Sequence, residues 1–285
     1  MNIEKSPKQI PKICHLYWDG SPMSWLQTLT IDSFHRYNPD WEIIVYTPIK
    51  KYNGRYQFTP NYIGKDYFHL IKNLDYVQIK TVDLRDYNVN ENLHDILRSD
   101  IFRYKILYEF GGIWSDFDVI WLKPVSQLRS MDYLQNVDLD NMSDTVCMYN
   151  YKTGHHNISV MIHEKNSEFI KSLILMTDTM QLRLPRIKLG HQTFGTTMLN
   201  EMYPTFSDIE KKYGRVVPLQ YNAIFPYSIL NMVLLYKIKN LSYINDNVLC
   251  VHWFYGHLLS KQYINEGSYT YNCSMTSILK NENWI

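Results

Sequence analysis

The sequence predicts an α/β fold that is built on parallel strand–helix–strand units. Short apolar runs typical of strands alternate with segments of helical periodicity, beginning with a strand, a helix and a strand in the first 46 residues. The composition is globular, with 45% hydrophobic and 20% charged residues. Because no repeat or linker divides the chain, we expect one domain over residues 1–285, with a loose lead-in at 1–9 and a C-terminal tail from about 261.

The first unit is predicted from three segments. IPKICHLYW at 10–18 indicates a strand, and WEIIVY at 41–46 indicates a second one. Between them, a Ser-Pro cap and recurring apolar residues predict a helix over 21–37. Ligands of parallel sheets bind at the carboxyl ends of the strands, where Trp18 stands. Trp18 could stack on a nucleobase there, or it could be a core residue that caps the sheet.

The middle of the chain carries the longest predicted helix. A strand at 76–84 precedes a helix over about 91–110, whose leucines and tyrosines recur at helical spacing before a Gly-Gly stop. Asp100 and Arg103 are three residues apart and therefore share a helix face. They either form an ordinary surface ion pair or present an acid and a base to a pocket.

After the Gly-Gly stop, within the stretch 111–122, the sequence predicts a strand that ends in two aspartates. Asp116 and Asp118 stand at positions i and i+2 of an extended segment, so their side chains point the same way. Hard divalent cations take carboxylate oxygens together with substrate phosphates, which makes the pair a candidate seat for Mg²⁺ or Mn²⁺ with a diphosphate. An isolated Asp-x-Asp is usually a solvated turn, and the ordered series of helix, Gly-Gly stop, aromatic residue and Asp-x-Asp is what favours the metal site.

The second half of the chain has shorter predicted elements, and His252 is its main candidate. Histidine is a common metal ligand, but at the end of a strand a structural role is the simpler interpretation. The predicted elements are a strand at 145–149, a polar loop at 151–157, a helix at 163–180, a loop and helix at 190–203, and strands at 216–219 and 248–254.

Charge and cysteine content exclude several classes of protein. The formal net charge of +1 gives no global attraction to nucleic acid or to an anionic membrane. No apolar run has the length of a transmembrane helix, and the first residues do not resemble a signal peptide. The four cysteines are widely spaced without a Cys-x-x-Cys pair, so we expect a cytoplasmic, reducing environment.

In this order the motifs resemble those of the Asp-x-Asp sugar transferases, which include fungal initiating α-1,6-mannosyltransferases, capsular-polysaccharide sugar transferases and the catalytic domains of large clostridial glucosylating toxins. The matching pieces are IPKICHLYWDG at 10–20, RSDIFRYKILYEFGGIWSDFDV at 98–119, Asn157 before an apolar run, and VHWFYG at 251–256. The resemblance implies a GT-A fold with a mainly parallel nucleotide-binding sheet, and a UDP- or GDP-sugar donor. It also implies Mn²⁺ or Mg²⁺, transfer with retention, and an unknown glycan or protein acceptor.

The resemblance also implies a role for individual residues. By position, these are Trp18 as the base-stacking tryptophan, Asp100 and Arg103 as the pair that grips the donor sugar, Trp114 on the donor side where many members have Tyr, Asp116 near the ribose and metal, Asp118 as the direct metal ligand, Asn157 facing the sugar, and His252 closing the metal and diphosphate site.

Besides Trp114, and Ser115 where a small aliphatic residue is common, the chain departs from the family pattern at two places in its second half. Residues 190–192 read Gly-His-Gln where Gly-Pro is usual. Residues 257–260 read His-Leu-Leu-Ser where a Ser-Trp pair commonly follows the last histidine. The first departure concerns the acceptor side, and the second concerns the C-terminal contacts to the metal.

Two other functions stay open on the residues alone. DFDVI at 116–120 resembles the signature of phosphohydrolases that use an aspartate nucleophile, although that chemistry requires an apolar strand directly before the first aspartate. A carbohydrate-binding protein, or a degenerate transferase that holds a sugar nucleotide without turnover, would suit the aromatic richness. The presence of both aspartates and Arg103 favours an active transferase.

Overall fold

The structure is a computed structural model that describes most of the chain. The described residues are 10–52, 62–130, 146–150, 154–184, 186, 189–214, 217–267 and 269–285, with the backbone alone described at 129–130, 146–150 and 217–218. The lead-in predicted at 1–9 lies outside this part of the chain.

A mixed, mostly parallel sheet forms the centre of the fold. Seven strands pair in the order β3-β2-β1-β4-β7-β6-β8, and β5 pairs separately with β9. The parallel pairs are β1 with β2, β1 with β4, β2 with β3 and β6 with β8, whereas β7 runs antiparallel to β4 and β6. The strands are β1 (Ile13–Tyr17), β2 (Glu42–Pro48), β3 (Val77–Val82), β4 (Gly112–Ser115), β5 (Val119–Trp121), β6 (Val146–Asn150), β7 (His155–His163), β8 (Val217–Gln220) and β9 (Cys250–His252).

Helices cover both faces of this sheet, which confirms the predicted α/β fold with a mainly parallel sheet. Within the described residues no helix is long and apolar enough to cross a membrane. The helices are α1 (Trp25–Tyr37), α2 (Phe68–Lys72), α3 (Asp95–Phe110), α4 (Glu168–Leu182), α5 (Met198–Met202), α6 (Phe206–Tyr213), α7 (Met232–Tyr236), α8 (Leu258–Glu266) and α9 (Ser274–Asn281).

Helix starts differ from the predictions because the capping residues lie further along the chain. A cap at Ser21 was the prediction for α1, but Ser24 caps this helix through a capping box with Gln27. The helix predicted from residue 91 begins at Asp95, where the side chain of His94 accepts the N–H of Ile96. These shifts leave the paired faces of both helices unchanged.

The strand predicted to end in the two aspartates stops before them, because the segment after the Gly-Gly stop forms two strands in different sheets. β4 runs parallel to β1 in the main sheet, and β5 pairs with β9. Gly112 has φ +96° and lies so close to β1 that a Cβ would collide with the carbonyl oxygen of Ile13. Residues 116–118 form the turn between the two strands.

The polar loop predicted at 151–157 is also wrong in its second half. Residues 155–163 form β7, whose apolar run ISVMI is buried on the central strand positions. The helix predicted from residue 163 begins instead at Glu168, because the hydroxyl of Ser167 caps it by accepting the N–H of Ile170.

Buried side chains of β1 point alternately to the two sides of the sheet. Cys14 and Leu16 belong to one apolar cluster, which includes residues of α1, and Tyr17 belongs to a second cluster with α3 and α4. A third cluster joins α7, α8 and α9 to β5 and β9. The ends of β1, β4 and β9 therefore lie on well-packed strands that can fix the polar side chains following them.

Candidate active site

Three potential metal ligands meet where β4, β5 and β9 end or begin. Asp116 follows β4, Asp118 precedes β5, and His252 ends β9 directly opposite Val119 of β5. One ligand atom from each of Asp116, Asp118 and His252 lies within 4.8 Å of the others, so the three could hold a metal ion. The convergence was predicted, but it arises from a turn between two strands and not from the same-face geometry of one extended strand.

Arg103 links the carboxylates of Asp100 and Asp116. Its guanidinium donates to Asp100 Oδ1 at 2.8 Å and lies 3.3 Å from Asp116 Oδ1. It also donates to the carbonyl of Ile158 on β7 at 2.6 Å. The side chains of Asp100 and Arg103 are both nearly inaccessible to solvent, so this is a buried ion network and not the surface pair that the sequence left open.

Trp114 completes the surroundings of Asp116. Its indole N–H donates to Asp116 Oδ1 at 3.0 Å, and its ring faces the guanidinium of Arg103 at 5.0 Å. The backbone N–H of Asp116 donates to the carbonyl of Ser159. Trp114 is 1% exposed, so it positions a carboxylate and does not offer a free ring face to a ligand.

Burial and the closeness of like charges raise the pKa of both Asp100 and Asp116. Burial raises the pKa of Asp100 to about 7, with Arg103 opposing and Asp116 adding to the rise. Burial also raises the pKa of Asp116, where Arg103 opposes and Asp118 adds to the rise.

Asp118 has different surroundings, in which both carboxylate oxygens accept hydrogen bonds. Oδ1 lies 3.1 Å from Nε2 of His252, and Oδ2 accepts the backbone N–H of Tyr255 at 2.8 Å. Burial alone would raise the pKa of Asp118, but the ring of His252 and the N–H of Tyr255 hold it below the usual value. Asp118 is therefore the carboxylate that stays ionised.

The loop after β9 supports this arrangement. Nδ1 of His252 accepts a hydrogen bond from the N–H of Phe254. In the neutral ring Nε2 therefore carries the hydrogen and donates a hydrogen bond to Asp118. The N–H of Trp253 donates to the carbonyl of Asp118. Phe254 has φ +53°, a left-handed conformation that a bulky residue adopts only when its neighbours hold it there.

Trp18 and Asn157, the two remaining predicted residues, lie beside the site and contact it through neighbours. The ring of Trp18 packs edge-on against Phe117, the middle residue of the Asp-x-Asp turn, with centroids 5.2 Å apart. Trp18 is only 7% exposed, which is the core position that the sequence left as an alternative. The side chain of Asn157 accepts the N–H of Ser159, and Ser159 in turn accepts from Asp116.

The sequence reasoning missed two residues of the site. Gly195 lies in a π turn at 193–197, where a Cβ would be 2.9 Å from Asp100 Oδ2 and 2.7 Å from the Ile158 side chain. Lys261 on α8 is 3% exposed and stands over the ring of Tyr255. A glycine between Phe194 and Thr196 and a lysine on an amphipathic helix carry no distinctive sequence signal, and both depend on contacts between distant segments.

One protein family matches the central part of the chain. Residues 24–135 match the family described as a glycosyltransferase sugar-binding region containing a DXD motif. This segment includes the Arg103 network and both aspartates of the turn. No curated protein matches the chain at a significant level.

Solved structures of glycosyltransferases are similar at low identity. PaToxG glycosyltransferase is 19% identical, with 72% of this chain and 74% of that chain covered and a TM-score of 0.48. The UDP-bound glycosyltransferase domain of the YGT toxin is 12% identical, with 72% and 70% covered and a TM-score of 0.40. The glycosyltransferase GlyE of Streptococcus pneumoniae is 12% identical, with 96% and 64% covered and a TM-score of 0.49. These similarities are too low to assign a donor or an acceptor.

The family match covers the residues on which the competing interpretations depend. It decides against the phosphohydrolase reading of DFDVI, because the same aspartates lie in a matched sugar-binding region. Over residues 24–135 it confirms the resemblance to the Asp-x-Asp sugar transferases.

Proposed function

We propose that the protein transfers a sugar from a UDP- or GDP-linked donor to a glycan or protein acceptor with the help of Mn²⁺ or Mg²⁺. The observation that carries this proposal is the convergence of Asp116, Asp118 and His252 beside the buried Asp100–Arg103 pair. A hard cation site next to a polar, buried sugar-side network suits a substrate that joins a diphosphate to a sugar.

The donor set fits a hard divalent cation. Asp118 and Asp116 would be its ligands, because carboxylate oxygens are the donors such ions prefer. When bound, the ion neutralises charge on the donor diphosphate. His252 becomes a third ligand only if its Nε2 proton is displaced, which costs the hydrogen bond between Nδ1 and Phe254. In the arrangement described here, His252 orients Asp118.

The other residues orient and hold the donor. Asp100 Oδ2 is the oxygen of that carboxylate that Arg103 does not bind, and it is suited to accept a sugar hydroxyl. Arg103 fixes Asp100 and Asp116 relative to each other, while Trp114 fixes Asp116. Asn157 keeps the role that the resemblance implies, near the sugar, whereas the buried ring of Trp18 supports the Asp-x-Asp turn through Phe117.

Transfer with retention proceeds either through a covalent intermediate or by attack of the acceptor from the face that the diphosphate leaves, and we propose the second route. The bond between the anomeric carbon and the phosphate oxygen breaks as a bond to the acceptor oxygen forms, and the acceptor hydroxyl proton passes to the leaving phosphate. Asp100 is engaged by Arg103 and backed by Gly195, so it is better placed to orient a hydroxyl than to attack carbon. Holding both substrates together supplies the orientation that the reaction needs.

The test is a thermal-unfolding panel of UDP- and GDP-sugars with and without Mn²⁺, on the wild type and Asp118→Asn. A ligand that binds the native state raises the melting temperature by mass action. We expect one nucleotide sugar to stabilise the wild type only with Mn²⁺, and the variant not at all. The matched control is Asp178→Asn, which removes the ion pair between Asp178 on α4 and Lys105 on α3. This variant should keep the rise in melting temperature. A wild type that no nucleotide sugar stabilises would contradict the proposal.

A further inference from the structure

We infer that Lys261 is an anion-binding residue that contacts the diphosphate of the donor. The inference rests on the proposed function and deepens it, because it adds a cationic contact to the metal side of the same site.

Lys261 is connected to Asp118 through one residue. It lies in the first turns of α8, where its N–H donates to the carbonyl of His257. Its ammonium nitrogen is 3.1 Å from the centroid of the Tyr255 ring, and the backbone N–H of Tyr255 donates to Asp118 Oδ2. The ammonium of Lys261 therefore contacts the residue whose backbone N–H also orients the carboxylate of Asp118.

The side chain of Lys261 is buried, and the described residues give it no carboxylate partner. Lys261 is 3% exposed, and across the described residues it forms neither an ion pair nor a side-chain hydrogen bond. A buried cation is costly unless it is paired, and the ring of Tyr255 offers only a cation–π contact. Burial lowers the pKa of Lys261 to about 7, with the charges of Asp118 and Asp19 opposing that fall. Such a group is poorly suited to stabilising a core and well suited to receiving an anionic ligand.

The other buried cation of the site is already occupied. Arg103 is bound by Asp100, Asp116 and the carbonyl of Ile158, so its charge is directed to the protein's own carboxylates. A nucleoside diphosphate brings negative charge to a site that already holds three aspartates, and a single divalent ion does not balance that total. Lys261 supplies a further positive charge on the side of Asp118.

The sequence around Lys261 agrees with this role. The Ser-Trp pair that the family resemblance implies after the last histidine is absent, and residues 257–260 carry different side chains there. Lys261 follows that segment directly. It therefore offers a donor from the part of the chain where this sequence departs from the family pattern.

The experiment compares how the wild type, Lys261→Met and Lys261→Arg bind nucleosides with increasing numbers of phosphates. Calorimetry with Mn²⁺ present would measure dissociation constants for uridine, UMP and UDP, and for guanosine, GMP and GDP. We expect Lys261→Met to weaken diphosphate binding by about 10-fold or more and to leave nucleoside binding unchanged, because charge-assisted contacts of this kind contribute that much affinity. Lys261→Arg should retain affinity within a few-fold. Lys105→Met, which removes a lysine paired with Asp178, is the matched control.

Each other outcome has a defined meaning. Equal diphosphate affinity in the wild type and Lys261→Met overturns the inference and leaves the proposed function standing. An equal loss of affinity for the nucleoside and the diphosphate shows that Lys261 only supports the fold, and this result overturns the inference too. If Lys261→Met does not fold, Lys261→Gln carries the same expectation. A wild type that binds none of these nucleotides overturns the proposed function and the inference together.

Discussion

The two aspartates of the Asp-x-Asp turn are held by different kinds of structure. Asp116 is fixed by side chains of rigid elements, with Arg103 from α3 on one side and the indole of Trp114 from β4 on the other. Asp118 is fixed by the loop after β9, through a backbone N–H of Tyr255 and the ring of His252. The pKa of Asp116 is raised and that of Asp118 is lowered.

This difference separates the site into two halves, named for the roles proposed above: a sugar-side half of Asp100, Arg103 and Asp116, of which Asp116 also faces the proposed metal, and a metal-side half of Asp118 and His252. In the sugar-side half, buried charges hold each other, so removing one leaves the others without a partner and should destabilise the fold. In the metal-side half, the carboxylate of Asp118 would serve the proposed ion, so removing it should impair activity more than stability. The following predictions test that separation, beginning with the largest effect.

Arg103→Met should be the most damaging change for stability. It leaves Asp100 and Asp116 buried without a cation, and breaking a buried pair in this way costs about 3–5 kcal/mol of unfolding free energy. Urea unfolding of the variant and the wild type would measure the difference. Lys105→Met, which removes a less buried ion pair on the same helix, should cost far less. Equal losses in the two variants would show that the network is not special.

Asp118→Asn should reduce sugar transfer while leaving the fold intact. Loss of the ionised ligand should lower turnover by about 10²–10³-fold, the size found when one stabilising group is removed from a charge-stabilising site. The unfolding free energy of the metal-free variant should fall by only about 1–2 kcal/mol, because the lost contact to His252 is partly offset by weaker repulsion of Asp116, and the asparagine oxygen can still accept the Tyr255 N–H. Turnover and urea unfolding measured on the same preparation would test both parts. A variant that loses stability as strongly as Arg103→Met would break the comparison.

His15 is a buried polar group outside the site, and it should affect stability alone. Its ring donates to the carbonyl of Gly111 at 2.8 Å and accepts from Tyr46, and burial lowers its pKa to about 4. The same histidine in the unfolded chain takes up a proton near pH 6.5, whereas the buried ring does so only near pH 4. The contribution of the neutral ring to the unfolding free energy is therefore present above pH 6.5 and is lost as the pH falls toward 4. Between pH 7 and 5 the wild type should lose about 2 kcal/mol more than His15→Gln. Identical pH slopes of the two unfolding free energies would contradict this.

Gly195→Ala should produce the smallest effect, on the sugar-side half. The added Cβ would lie 2.9 Å from Asp100 Oδ2, so either the turn or the carboxylate must move. We expect a stability loss of about 1–2 kcal/mol and a fall in donor affinity that the metal concentration does not correct. Gly190→Ala, where the nearest atom is 3.6 Å away, is the control on the same loop. Full donor affinity in Gly195→Ala would exclude close packing of Asp100 as a requirement.

The sugar-side half was largely predictable from the sequence because its key spacing is local. Asp100 and Arg103 share a helix face at i and i+3, and the Gly-Gly stop and the aspartates follow within a few residues. What spacing could not reveal is that Arg103 also reaches Asp116, since that contact depends on how β4 lies against α3. The parallel start of the sheet was predictable for the same local reason.

The metal-side half was much less predictable. His252 was a candidate only through its place at a strand end, and its contact to Asp118 spans 134 positions that periodicity cannot connect. The strand predicted to end in the two aspartates missed the turn because the segments on either side of the turn are apolar, and their separation depends on pairing with different partners. Lys261 and Gly195 acquire their roles through burial against distant loops, which no local pattern encodes.

The most direct measurement of the central claim is the release of nucleoside diphosphate from UDP- and GDP-sugars by the metal-stripped wild type. We expect negligible release in EDTA and a rise of about 100-fold or more when Mn²⁺ or Mg²⁺ is restored, for one donor and with Asp178→Asn behaving as the wild type. Release that is unaffected by EDTA, or release from no donor under any metal condition, would contradict a metal-dependent sugar transferase built on Asp116 and Asp118.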